Sequence, residues 1–232
     1  MPTFVSTSTR TKPFLDGRFD SERDQGVWQQ SNVYSLTPAT PRQRLSEFLQ
    51  TGTPVRRVGA VREERLLSMS QNFGTQVMFL HDAEYLYIGL RCPKVPGFHS
   101  PPLEGQGGAQ RLRDIGMQDQ DRVEILIDTN RDYGTYYSLT IDFRGWVTDA
   151  NFGAQSWNPR WYVARHESDH AWYIEAAIPW SELSPELAGR LTLPTIIWGI
   201  AIRRLVPGIG IECWNAENSF DLTEGFGLLV FP

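Results

Sequence analysis

The chain has 232 residues, with 22 basic against 27 acidic side chains for a net charge of −5, and it is 41% hydrophobic and 21% charged. That composition excludes a disordered or fibrous chain, and the acidic balance argues against a nucleic-acid partner, which needs a basic footprint. The longest apolar run, residues 195–201, is far short of the ~20 residues that a membrane helix needs, so no membrane span is expected.

In chain order, residues 1–10 lack a basic start followed by an apolar stretch, so no signal peptide is read there. Their Ser/Thr content reads as a linker-like segment, ahead of a single domain at 11–232. The expectation is a piece of a longer secreted or periplasmic protein. Residues 37–57 hold three prolines and read as an insertion, weakly helical at 42–49. Val77-Met-Phe-Leu80 and Tyr85-Leu-Tyr-Ile-Gly-Leu-Arg91 make a hairpin around His81-Asp-Ala-Glu84. Residues 93–118, rich in proline and glycine, form a long loop of the kind that carries function. Val123-Glu-Ile-Leu-Ile-Asp128 is a strand, followed by the polar turn Thr129-Asn-Arg-Asp-Tyr-Gly134. The next strand alternates, with Tyr137, Leu139, Ile141 and Phe143 on one face and Ser138, Thr140 and Asp142 on the other. Strands at 146–149, 161–165, 171–178, 196–205 and 227–231 complete the pattern. A short helix is expected at 179–189, with Ser184 as N-cap, Pro185 in its first turn and Gly189 as its stop. Strands separated by turns, with one or two short helices, predict an all-β antiparallel β-sandwich of jelly-roll type.

Asp128, Asn130 and Asp132 have the alternate oxygen spacing that opens a calcium loop, which makes structural calcium a candidate cofactor. The sixth position is Tyr133 rather than Gly and the twelfth is Leu139 rather than Glu, so a polar turn is the competing reading. Asp121, Glu124, Asp128 and Glu175 invite a glycosidase reading, in which two carboxylates work across one cleft. Glu124 and Glu175 lie within apolar strands, however, where a carboxylate more often partners an arginine or backbone donors. The four histidines fall in or near turns, and no phosphate loop, dinucleotide fingerprint or nucleophile elbow is present. Cys92 and Cys213 fall at expected strand ends, where one bridge is an alternative to the favoured reading of two unpaired thiols. Of the 8 tryptophans, Trp28, Trp172, Trp180 and Trp198 sit in apolar patterns and are assigned to the core. Trp157, Trp161 and Trp214 lie near strand ends beside amide and carboxylate side chains, as a sugar-stacking surface requires.

The ordered set Leu15-Asp-Gly-Arg-Phe-Asp20 with Trp28, residues 77–91, Asp121-Arg-Val-Glu-Ile-Leu-Ile-Asp128, residues 137–145, Trp172-Tyr-Ile-Glu-Ala-Ala-Ile-Pro-Trp180, and Trp214 with Phe226-Gly227 resembles the family 9 carbohydrate-binding modules (CBM9) and their DOMON-like sandwich relatives. The resemblance implies a non-catalytic module that binds oligo- or polysaccharide, commonly beside a neighbouring catalytic domain, with structural calcium in some members. It implies that Glu124 binds sugar hydroxyls and that Phe220, in Glu217-Asn-Ser-Phe220, stands where one clamping tryptophan belongs. The second clamping aromatic should precede Asp121, where this chain has Gly116-Met-Gln-Asp-Gln120 instead. The expected carbohydrate-binding residues are therefore Phe220, Trp214, Glu124, Thr140, Asp142 and Glu217. The alternatives are a structural or protein-interaction sandwich that has lost the sugar site, and a glycoside hydrolase.

Overall fold

Alternating apolar side chains build two sheets that face each other across one core. The computed structural model describes residues 1–39, 72–98, 113–114, 116–117, 119–185, 195–214 and 225–232. The first sheet runs, in spatial order, through β1 (Thr3–Val5), β14 (Gly227–Phe231), β12 (Ile196–Val206), β7 (Arg122–Asp128), β8 (Tyr137–Asp142) and β9 (Val147–Asn151). A further strand, β13 (Gly210–Cys213), also pairs with β12 and carries β4 (Thr37–Pro38). The second sheet runs β10 (Tyr162–Glu167), β11 (Ala171–Pro179), β6 (Tyr85–Pro93), β5 (Gln76–His81) and β2 (Thr7–Ser8), with β3 (Val33–Ser35) also on β5. Pairing is antiparallel except β1 with β14 and β2 with β5. Val123, Ile125 and Ile127 of β7 and Leu139 and Ile141 of β8 point inward, against Val77 and Phe79 of β5 and Leu86, Ile88 and Leu90 of β6. The period-two reading of these strands therefore holds, including the inward turn of Tyr137. Trp28, Trp172, Trp180 and Trp198 are buried, as expected.

Three expectations need correction. Residues 1–10 are no linker: β1 lies in the first sheet, β2 in the second, and the chain crosses between them at buried Ser6. The open edges of β14 and β5 take these strands, and Phe4 fills the core between them, in ring contact with Tyr34, Phe79 and Trp214. The described helical turn, α1 (Trp180–Leu183), lies inside the expected span but ahead of Ser184, whose amide donates to the Trp180 carbonyl as a C-cap; residues 186–189 of the expected helix lie outside the described residues. Trp180 and Leu183 are drawn into the core, which sets the turn's register. The proline-rich stretch that read as an insertion begins as a strand, β4, paired with Cys213 and Glu212. The segment 42–49 lies outside the described residues. Cys92 and Cys213 are free and buried.

One polar cluster ties the sheets together from inside. Arg204 of β12, fully buried, donates to both carboxylate oxygens of Asp121, at 2.9 and 2.8 Å. It also donates to Thr75 Oγ1 and the Pro93 carbonyl, at the ends of β5 and β6 in the opposite sheet. The Trp172 indole N–H, on β11, adds a 2.8 Å bond to Asp121. A buried guanidinium left without its carboxylate is expensive, and so is the reverse. Arg204→Met should therefore lower unfolding free energy by about 3–5 kcal/mol, read as a shift in the urea midpoint at unchanged slope. A loss under about 1 kcal/mol would show that the cluster is not what joins the sheets.

Candidate functional site

The outer face of the first sheet carries a strip of polar and charged side chains. Pairing sets Arg203, Glu124, Thr140 and Thr148 side by side across β12, β7, β8 and β9. Strand alternation turns all four away from the core. Glu124 is held from both sides. Arg122 Nε donates to its Oε1 at 2.8 Å, and Arg203 Nε donates to its Oε2 at 2.7 Å. Arg122 is itself fixed by a bond to the Met117 carbonyl at 3.2 Å. Burial opposes ionisation of Glu124, but Arg203 and then Arg122 outweigh it and hold the carboxyl below the ordinary glutamate range. Above this strip opens a groove of about 200 Å³ lined by Asp114, Gly116, Met117, Arg122, Glu124, Thr140, Thr148 and Gln155. Asp114 accepts a bond from Thr148 Oγ1. The groove therefore offers the clamped Glu124 carboxylate and that of Asp114, the Arg122 guanidinium, two hydroxyls and an amide. Such a set suits a neutral ligand rich in hydroxyl groups.

The expected site residues fall into three groups. Glu124 and Thr140 share the groove. Asp142 faces outward from β8 as expected but is fully buried and absent from the lining. Its carboxylate accepts from the Arg144 and Trp146 amides at 2.8 and 3.1 Å and from Arg144 Nε at 2.7 Å, so it holds the β8–β9 turn. Burial keeps its carboxyl above the ordinary aspartate range despite Arg144. Arg144 in turn lies 3.7 Å over the Trp146 ring. Trp214, expected at the sugar surface, is half-buried and stacks on core Phe4 at 4.0 Å and 28°. The crossing N-terminal strand supplies that partner, so the ring turns inward. Phe220 and Glu217 lie outside the described residues.

The other tryptophans placed on the surface by sequence also pack inward. Trp161 is buried, with its N–H on Asp149 Oδ2 at 3.2 Å, and Trp157 is half-buried against Tyr137 at 4.6 Å. The four carboxylates of the glycosidase reading are dispersed. Asp121 is in the core with Arg204, and Glu175 lies in the second sheet. Glu175 accepts the Asp16 and Gly17 amides at 2.8 and 2.5 Å, the backbone-donor role foreseen for it. Gly17 is required there: its φ is +82°, and a Cβ would come within 2.4 Å of the Arg165–His166 peptide. Arg122, Arg203, Asp114, Thr148 and Gln155 were not foreseen. Arg122 was legible, two residues before Glu124 on one strand face, whereas Arg203 joins the site only through β12–β7 pairing.

In the Asp128–Asp132 turn the side-chain oxygens accept from the turn's own backbone amides. Asp128 accepts from the Arg131 and Tyr133 amides, Asn130 Oδ1 from the Asp132 amide, and Asp132 from the Gly134 and Thr135 amides. Those bonds, first the Gly134 amide's and then the Thr135 amide's, hold the Asp132 carboxyl below its ordinary range. Donors point at the oxygens whose bare lone pairs calcium would need, and calcium takes about 6–8 oxygens. Among the described residues, no three His, Cys, Asp or Glu side chains gather as a metal-ligand group. Asn130→Ala, which removes one oxygen of this turn, should leave the change in melting temperature between EDTA and millimolar calcium within about 1 °C of the wild type's. A calcium site saturated a hundredfold above its Kd would instead add about 2.7 kcal/mol of stability and raise the midpoint by several degrees.

The chain has known counterparts. The family model described as "Carbohydrate family 9 binding domain-like" matches residues 103–200. An endo-1,4-beta-xylanase A of Thermoanaerobacterium saccharolyticum is 26% identical over 118 residues, which is 50% of this chain and 10% of that enzyme. The chain thus accounts for about a tenth of the length of this curated relative. A family 9 carbohydrate-binding module of Caldicellulosiruptor kristjanssonii, solved with cellotriose, superposes with a TM-score of 0.59 at 16% identity, covering 99% of this chain and 93% of that one. The structure of a family 9 module from the same organism with glucose gives 0.59 at 15% identity, over 100% and 96%. At such identities the superpositions establish the fold, a β-sandwich shared with the family 9 carbohydrate-binding modules, and the family-model match lies within that same sandwich.

Proposed function

We propose that the chain is a non-catalytic carbohydrate-binding module and that sugar hydroxyls bind in the groove at Glu124. The clamp on Glu124 carries this reading. A carboxylate already ionised and oriented by Arg122 and Arg203 accepts ligand hydroxyls without rearrangement. The groove's Thr140, Thr148 and Gln155 supply further hydrogen-bonding groups. The same clamp disfavours the hydrolase reading, since a general acid must hold its proton near neutral pH and Glu124 is pushed the other way. The cellotriose- and glucose-bound family 9 neighbours and the xylanase relative support carbohydrate as ligand, with a polysaccharide-active catalytic domain of an exported protein as the neighbour.

Isothermal titration with glucose and cellotriose, alongside reducing-sugar release on xylan and cellulose, tests the proposal. Saturable binding without hydrolysis is expected. Glu124→Gln should weaken binding about 10- to 100-fold, the worth of one hydrogen bond to a charged group. Because the Glu124 carboxyl is depressed in the folded protein, its ionised form persists below the ordinary glutamate range. Binding should stay flat from pH 8 to pH 5 and fall only as pH drops through that depressed value. No saccharide binding at millimolar concentration, or hydrolysis abolished by Glu124→Gln, would overturn the proposal.

A further inference from the structure

The outer face of the first sheet does not end at the groove. Along β7 the residue after next to Glu124 on the same face is Leu126, which packs with Ala201 of β12 and with Phe226 in a small apolar cluster separate from the main core. Tyr136, just ahead of β8, packs on that cluster, with its ring 6.1 Å from Phe226. Against Tyr136, at 5.8 Å and 79°, stands Phe152, which is 61% exposed. The face thus grades from a polar groove, across an apolar floor, to an exposed aromatic ring. Thr148 in the groove and Phe152 are four residues apart along β9 and its end, about 13 Å at strand rise. No single pyranose ring bridges that distance. The loop that presents Phe152 also returns to the groove, because Gln155, three residues on, is part of the lining. No charged side chain lies in Asn151-Phe-Gly-Ala-Gln-Ser156, which matches a neutral ligand.

The backbone supplies a second reason to single out Phe152. Asn151 and Ala154 exchange both of their backbone hydrogen bonds, 3.1 and 2.9 Å, which closes a two-residue turn on Phe152 and Gly153. The two central φ angles are +46° and +79°, the signs that a type I′ turn demands. Asn, Asp and Gly are favoured at the first of these positions. A bulky aromatic residue there is strained, and strain of this kind clusters where a side chain serves function rather than folding. The ring is not buried and so is not recovering that cost in the core.

Building on the carbohydrate reading of the groove, we propose that Phe152, backed by Tyr136, is a second aromatic subsite that stacks on a sugar further along the same chain. The ligand is then a neutral oligosaccharide of more than one unit rather than a single terminal sugar. The ring face of Phe152 covers the apolar C–H face of that sugar, while its hydroxyls remain in water.

Isothermal titration of the wild type, Phe152→Asn and Glu124→Gln with glucose, cellobiose and cellotriose, repeated with xylose and xylotriose, tests this. In the wild type the longer ligand should bind about tenfold tighter than its monosaccharide, within what one stacked ring contributes. Phe152→Asn should erase that gain, leave monosaccharide affinity within twofold, and match or exceed the wild-type melting temperature, since Asn accepts the turn. Glu124→Gln should weaken every ligand. A length-dependent gain that survives in Phe152→Asn, or equal wild-type affinity for monomer and trimer, would overturn the subsite while leaving the groove's function standing. Absence of binding by every sugar would overturn the carbohydrate reading itself.

Discussion

Arg204 and Asp121 meet in the middle of an apolar sandwich, and the rest of the molecule is arranged around keeping them paired. In that interior a lone charge costs far more than any alternative packing recovers. The register of β12 on β7 is therefore tightly held: a one-residue slip would send Arg204 to solvent and bury Arg203 in its place. The partners of Arg204 in the opposite sheet, Thr75 and the Pro93 carbonyl, extend that constraint across the core. The sheet-joining pair and the proposed site are thus separated by one position in sequence. Arg204 faces inward and joins the sheets; its neighbour Arg203 faces outward and steadies Glu124.

The outer strip follows from the same alternation. Arg122, Glu124 and Leu126 recur every second residue on β7, opposite Val123, Ile125 and Ile127 on the core face. Placing a carboxylate between two arginines on the solvent side leaves it ionised, ordered and locally neutralised. That is an unfavourable state for proton transfer and a favourable one for accepting hydroxyl groups. Other carboxylates of the sandwich are consumed by the scaffold. Glu175 gathers the Asp16 and Gly17 amides, Glu212 those of Phe73, Gly74 and Thr75, and Asp142 those of its turn. Each replaces a segment's missing backbone partners, so each is spent before any ligand arrives.

The aromatic residues divide by a related rule. Phe4, Tyr34, Phe79 and Trp214 form one set of ring contacts within the core, and Trp180, Trp198 and Phe231 another. Large flat rings near strand ends close the ends of a two-sheet core, which is why Trp161 and Trp214, placed at the surface from sequence context, pack inward. Phe152, like Tyr133, is held at a positive φ in a turn and left open to solvent, and of the two it is Phe152 whose loop returns to the groove through Gln155.

Period-two patterns in the sequence determined the strand positions of β5 to β8, β11 and β12 and which face of each is apolar. They also marked Glu124 as a carboxylate set in an apolar strand, because side-chain alternation is a local property of extended backbone. Tertiary pairing decided everything that depends on neighbours distant in sequence. The N-terminal residues became strands because β14 and β5 had edges to fill, and Trp214 turned inward because Phe4 arrived beneath it. Arg203 reached Glu124 across a sequence separation of 79. Most of the tryptophans became core for the same reason. Periodicity shows which way a ring leaves its strand, but only the partner strand decides whether it meets a second sheet or water.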